Sequence, residues 1–190
     1  NVVHHTWTNI YRKDHDVGYG LLRVTDRQKW EPRFLPQPIY NVLLCLFFEW
    51  GIGIQEMNWR KLFKGTDEQR AHYRFVLKRF RQKAGRQIMK DYVLWPALSG
   101  PFFLYVLLAN IIANIGRNIW TNIIIFCGHF PDGVHVFQKA DIEGETRARW
   151  YVRQLLGSAN IKGGKLFSIM SGNLNYQIEH HLYPDMPSNR

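Results

Sequence analysis

The sequence predicts an all-α integral membrane domain, and three observations carry that prediction. Residues 101–129 hold a single formal charge, Arg117, in 29 positions. The segment before them ends at Ser99-Gly100-Pro101, a turn that would fold the two into a transmembrane hairpin. The polar stretches on either side repeat at helical spacing, as cytoplasmic or interfacial helices do.

The 190 residues suit one domain, and 25 Lys and Arg against 15 Asp and Glu give a net charge of +10. With 46% apolar and 15% aromatic residues the chain is not disordered. Two cysteines, Cys45 and Cys127, both within apolar runs, exclude a disulfide scaffold. The mean hydropathy of −0.29 suits a soluble protein, but it averages over sharply separated blocks.

Taken in order, residues 1–38 read as loop and short helix, with prolines at 32, 36 and 38. Neither Gly18-Tyr19-Gly20 nor Gly51-Ile52-Gly53 opens a nucleotide-binding loop, because Arg23 and Glu56 stand where the third glycine belongs. Residues 39–54 are apolar but interrupted by Glu49 and two glycines. Sixteen positions fall short of the roughly 20 that a crossing needs, so an interfacial or re-entrant helix is preferred.

The block 56–91 holds eleven Lys and Arg and four acids. Thr66-Asp67-Glu68-Gln69 is a capping box, followed by Tyr73, Val76, Leu77, Phe80, Ala84 and Ile88 at helical spacing. That describes a basic amphipathic helix, either a solvated face or a face attracted to anionic headgroups. It runs on into the apolar arm 85–98. Along 101–129, which would extend ~43 Å as a helix, Asn110, Asn114, Asn118 and Asn122 step by four and His129 follows seven later. Such a stripe faces a bundle interior, or else it glues helices together. After the turn at Pro131-Asp132-Gly133, residues 140–156 predict a short charged helix.

Eight histidines include two adjacent pairs, His4-His5 and His180-His181, with His129 at a helix end between them. On a helix, ligands at i, i+3 and i+4 share one face, as in Gln177-Ile178-Glu179-His180-His181. Nitrogen-rich sets suit iron, copper, nickel or zinc. The chain has no His-Glu-x-x-His or Cys-x-x-Cys for zinc, no nucleophile elbow, and no four-helix Glu-x-x-His pattern. A nucleic-acid partner is not expected, since charge and aromatics alone leave the apolar helix unexplained.

Residues 172–184, Gly-Asn-Leu-Asn-Tyr-Gln-Ile-Glu-His-His-Leu-Tyr-Pro, resemble the third histidine box of membrane fatty acid desaturases in its Gln-x-x-His-His form. Asn1-Val2-Val3-His4-His5-Thr6 resembles the second box without its first His, and Gly128-His129-Phe130-Pro131-Asp132-Gly133 also fits. Within the family the chain is most similar to actinobacterial, mycobacterial-type acyl-CoA Δ9 desaturases. The resemblance implies one desaturase domain over residues 1–190. It would be truncated at the N-terminus, lacking the first box and the first His of the second, and truncated at the C-terminus as well, so that the chain alone would be inactive.

The resemblance also implies two iron ions at the cytoplasmic face, held by His4, His5, His129, His180 and His181. Gln177 would be a ligand through its amide oxygen, a partner through water, or a residue behind the ligands. O2 would be the co-substrate and a fatty acyl chain, as acyl-CoA or lipid, the substrate of a cis-desaturation. Electrons would come from an external reductase with a ferredoxin-like or cytochrome b5-like donor. Asp14, Asp16 and Glu179, and likewise Asp185, are candidates to orient ligand histidines. Trp95, Trp120 and Phe126, with Asn118 and Asn122, are candidates to line an acyl tunnel. His72 and His135 read as surface and structural residues. A related di-iron hydroxylase or acetylenase, and an inactive basic membrane-surface protein, are the competing readings.

Overall fold

In the computed structural model, residues 2–55 and 57–187 are described; Asn1 of the N-terminal motif and Glu56 at the head of the basic block lie outside them. Among the described residues there are ten α-helices: α1 (Val2–Trp7), α2 (Gln37–Leu46), α3 (Phe48–Gln55), α4 (Trp59–Lys64), α5 (Asp67–Met89), α6 (Trp95–Leu98), α7 (Phe103–His129), α8 (Arg147–Leu156), α9 (Lys165–Met170) and α10 (Gln177–Leu182). No strand occurs among them, and one isolated parallel bridge pairs Ile10 with Phe137. The chain divides into two compact units, residues 46–119 and residues 1–45 with 120–190.

In the unit 46–119, α5 starts where its capping box predicts. Thr66 Oγ1 accepts the Gln69 N–H at 3.3 Å and Gln69 Oε1 accepts the Thr66 N–H at 3.2 Å. Phe80 of α5 lies against Gly53 of α3, where a Cβ would overlap its ring, and edge-on to Trp50 at 6.1 Å. Glu49 of α3 gathers Gln87 Nε2 at 3.1 Å, Lys83 Nζ at 3.5 Å and the Arg117 guanidinium. The one charge of the long apolar segment is thereby paired.

The basic helix does run into the apolar arm. A π-helical turn, Lys90–Leu94, joins α5 to α6, where Pro96 lacks the N–H an unbroken ladder would need. The turn at residues 99–102 then reverses the chain, with Gly100 at φ +56° in the left-handed region. The returning helix α7 bonds to the first arm: Asn110 Nδ2 donates to the Asp91 carbonyl at 2.6 Å, and Asn114 Nδ2 to the Tyr92 hydroxyl at 3.0 Å. A helical hairpin is present, but only its second arm, Gly100–His129, is by itself long and apolar enough to cross a bilayer. Just 6% of that arm's most apolar window is buried, with Leu104, Tyr105 and Ile112 outward.

The expected run 39–54 is broken at Phe47 into α2 and α3, of ten and eight residues. Neither alone spans a hydrocarbon core of about 30 Å.

In the other unit, side chains fasten short helices to one another. Ile10 and Ile124 are the driest apolar residues of its core, and Val17, Tyr19, Leu22, Phe34 and Leu44 are buried as well. Polar groups fill much of the rest: Thr8, Asn9, Gln154 and Asn175 have no exposed surface. Each makes at least one side-chain hydrogen bond, although Asn9 Oδ1 and Gln154 Oε1 are buried without a partner. The six-residue α1 is too short to persist alone. Arg153 of α8 donates to the carbonyls of Thr6 and Thr8 at its C-terminal end, at 3.1 and 3.2 Å, and Gln154 Nε2 to that of His5 at 3.3 Å. Arg153 is itself held by both oxygens of Glu145, at 2.7 and 2.9 Å.

Candidate metal centre

Three segments meet here: the end of α1 with His4 and His5, the last residue of α7, His129, and the last turn of α10 with His180 and His181. Asn9 ties two of them together. Its amide nitrogen donates to the carbonyls of His129 at 3.1 Å and Gly157 at 2.8 Å, and its backbone sits at φ +53°, where Asn is tolerated.

α10 is positioned from both ends of the preceding loop. Gly172, at φ +62°, ends α9 in a Schellman turn: the Asn173 N–H reaches the Ser168 carbonyl at 2.8 Å and the Gly172 N–H that of Ile169 at 3.1 Å. Asn160 then serves the start of α10, accepting the Ile178 N–H at 3.0 Å and donating to Glu179 at 2.8 Å. Gly128 lets α10 come close, since a Cβ there would overlap the Gln177 side chain.

The imidazoles pack ring to ring. Centroids of His4, His129 and His181 lie 4.7, 4.8 and 5.0 Å apart, and one nitrogen from each falls within a 4.8 Å set. His5 stands 4.6 Å from His181 and 4.7 Å from His180. The Nε2 atoms of His129 and His181 face each other at 3.3 Å. All five histidines singled out in the sequence are therefore together.

The surrounding hydrogen bonds leave several ring nitrogens open to a metal ion. His4 Nδ1 donates to both Asp14 oxygens at 3.0 Å and lies 3.3 Å from Asp16, which leaves Nε2 free to ligate. Asp14 is fixed in turn by the N–H groups of Asn9 at 2.8 Å and Asp16 at 3.0 Å. His5 Nδ1 and His129 Nδ1 are buried with no hydrogen-bond partner. Buried nitrogens without partners among several imidazoles fit a nitrogen-bound transition metal better than an apolar core.

Electrostatics divide the set. Burial disfavours charged His4, but the Asp14 hydrogen bond and the charges of Asp14 and Asp16 outweigh it and raise its pKa. Burial, reinforced by the neighbouring His180, pushes His5 down to about 4. Burial, then the other imidazoles, lowers His180 and His181 as well. These three stay neutral at neutral pH, the form that binds metal.

The other expected residues are placed less uniformly. Glu179 is exposed and its carboxylate is taken by Asn160, so it is turned to its helix's support. Asp185 is exposed, and Gln177 is buried against Gly128. Asn118 accepts the Glu49 N–H at 3.1 Å, so with Asn110 and Asn114 it joins helices. Asn122 is buried with its amide nitrogen unpartnered. The Trp120 indole donates to the Met170 carbonyl at 3.2 Å, committed to α9. Phe126 packs on Phe130 at 5.2 Å and Tyr19 at 6.4 Å, an aromatic wall one turn from His129. Trp95 lies in the unit 46–119, half exposed. His72 is exposed on α5, and the His135 backbone bonds to Leu156 at 2.8 Å and Asn9 at 3.3 Å.

Sequence patterns did not single out Thr8, Asn9, Glu145, Arg153, Gln154, Asn160 or Asn175. Their bonds span up to 173 positions, and no local spacing signals them.

Residues 2–190 match the family model described as fatty acid desaturase. The chain is 51% identical over 195 aligned residues to a protein of Mycobacterium tuberculosis named NADPH-dependent stearoyl-CoA 9-desaturase, covering all of this chain and 45% of that one. It is 24% identical to the acyl-lipid (8-3)-desaturase of Mortierella alpina, across 96% of this chain and 42% of that protein. With the acyl-lipid (7-3)-desaturase of Rebecca salina the identity is 26%, across 96% and 41%. The chain thus spans less than half the length of these relatives. No solved structure matches it.

Proposed function

The chain belongs to the fatty acid desaturase family, and from that membership we propose that the protein introduces a cis double bond into a fatty acyl chain carried on coenzyme A. The observation that carries the proposal is the convergence of His4, His5, His129, His180 and His181 from three distant segments. Two iron ions held by these histidines would supply the oxidising chemistry, activation of O2 and removal of two hydrogens from adjacent methylenes.

The protein's own residues do the rest. Asp14 holds the His4 ring by its Nδ1 proton, and Asp16 adds charge to the same edge. Gln177, pressed against Gly128, completes the α10 face of the site. Phe126, with Tyr19 and Phe130, offers an apolar surface beside His129 against which an acyl chain is held so that one carbon pair is presented. O2 leaves as two waters, using two substrate hydrogens, two electrons from an external donor and two protons. A reductase with a ferredoxin-like or cytochrome b5-like carrier fits the relative named as NADPH-dependent. The domain sits in the membrane through α7, with its histidines on the cytoplasmic side.

The test expresses the full reading frame in a host that supplies a reductase and reads cellular fatty acids by gas chromatography–mass spectrometry. A new monounsaturated acid that vanishes in His180→Ala is the expected result, and derivatisation gives the bond position. A hydroxylated product would move the assignment to the sister activity, and purified protein without iron would overturn the site.

A further inference from the structure

We propose that Thr8 is a positioning residue: its hydroxyl accepts the Nδ1 proton of His181 and so fixes the tautomer that aims Nε2 at the centre. The inference rests on His181 belonging to the metal site.

The proton count carries it. A threonine hydroxyl has one proton and two lone pairs. Thr8 sits just past the end of α1, and its Oγ1 lies 2.9 Å from the His4 carbonyl four residues earlier, a back-bond that hydroxyls in helical turns readily make. That bond takes the proton. The same oxygen lies 3.1 Å from His181 Nδ1, in a position with no exposed surface. With the hydroxyl proton spent, only a lone pair faces the ring, so Nδ1 carries the hydrogen. Nε2 is left as a lone pair, 3.3 Å from His129 Nε2 and among the nitrogens that gather with His4.

Thr8 is also held in place. Its carbonyl accepts from Arg153, and the next residue, Asn9, is anchored on the His129 and Gly157 carbonyls. A single hydroxyl thus links the first histidine pair to the second: it donates to the backbone of His4 and accepts from the ring of His181. Asp14 performs the matching service for the His4 ring, with a carboxylate in place of a hydroxyl. The two ligand rings are oriented by differently charged partners, which leaves His181 the less basic donor.

The full-length protein, labelled with 15N-histidine and freed of metal, tests this directly. The His181 signal, assigned by its loss in His181→Asn, is expected at the Nδ1–H, Nε2-unprotonated position. Thr8→Val keeps the shape but lacks the acceptor, and it is expected to shift that signal toward a tautomer mixture; Thr8→Ser is expected to restore it. In chelator titrations of the iron-loaded proteins, Thr8→Val should bind iron about 10- to 100-fold more weakly, with Thr8→Ser near the unsubstituted protein. An Nε2–H tautomer for His181 in the unsubstituted protein overturns the proposal without any variant needing to fold. Equal iron affinity in a folded Thr8→Val overturns it as well. An unsubstituted protein that binds no iron removes the metal site itself, a result separate from either.

Discussion

Asp14 and His4 lie ten positions apart and meet through both carboxylate oxygens, each 3.0 Å from Nδ1. The same carboxylate accepts two backbone N–H groups, so it is built into the loop before it ever touches the ring. Asp14→Asn keeps the size but offers one acceptor oxygen in place of two. The loss of charge should lower the basicity of His4 and weaken iron binding about 10- to 100-fold, read by chelator competition. One of the three donors loses its partner, and the accompanying loss of stability should be about 1–3 kcal/mol.

Arg153 is nearly inaccessible and grips Glu145 while capping α1. Arg153→Met should cost about 3–5 kcal/mol, because it strands a mostly buried carboxylate and frees two carbonyls at once. Thermal unfolding should show a lower midpoint and a loss of iron together. Arg153→Lys should recover little, since one ammonium cannot replace a fork bonded to four oxygens.

Two glycines of α7 give an internal comparison. Gly128→Ala places a methyl into the Gln177 side chain, so that side chain or α10 must shift; iron content and turnover are expected to fall with little change in overall helicity. Gly116→Ala meets nothing within 4 Å and should be neutral or stabilising by about 0.5–1 kcal/mol, as alanine is the better helix former. Metal analysis and circular dichroism on both proteins check the pair.

The hairpin bond between Asn114 and Tyr92 should be modest. A double-mutant cycle with Asn114→Leu and Tyr92→Phe is expected to return a coupling of about 0.6 kcal/mol, the usual scale between helices in a bilayer. A value near zero would show that this bond adds nothing to the pairing of the two arms.

Much of this organisation is legible in the sequence because its signals are local. Thr66 and Gln69 announce the start of α5 three residues apart. His129 closes an apolar stretch, and the two His-His pairs declare themselves by adjacency. What is illegible is long-range and unperiodic. Nothing near Arg153 indicates that it serves carbonyls 145 and 147 positions away. Asn160 pairs with Glu179 from 19 positions away, which the spacing around His180 does not signal. The asparagine stripe is visible as a pattern, but its use is not: a helical face can line a cavity or bind a neighbour equally well. The structure commits Asn110, Asn114 and Asn118 to neighbours and leaves the buried amide nitrogen of Asn122 without one.

His129 ends the same rod that carries the apolar surface of residues 103–126. A helix has no slack along its axis: sliding α7 by one residue moves its end by about 1.5 Å and turns it by about 100°. Such a step would carry His129 out of reach of His181, whose nitrogen is 3.3 Å away. The axial register of α7 and the shape of the imidazole cluster are thus one mechanical variable.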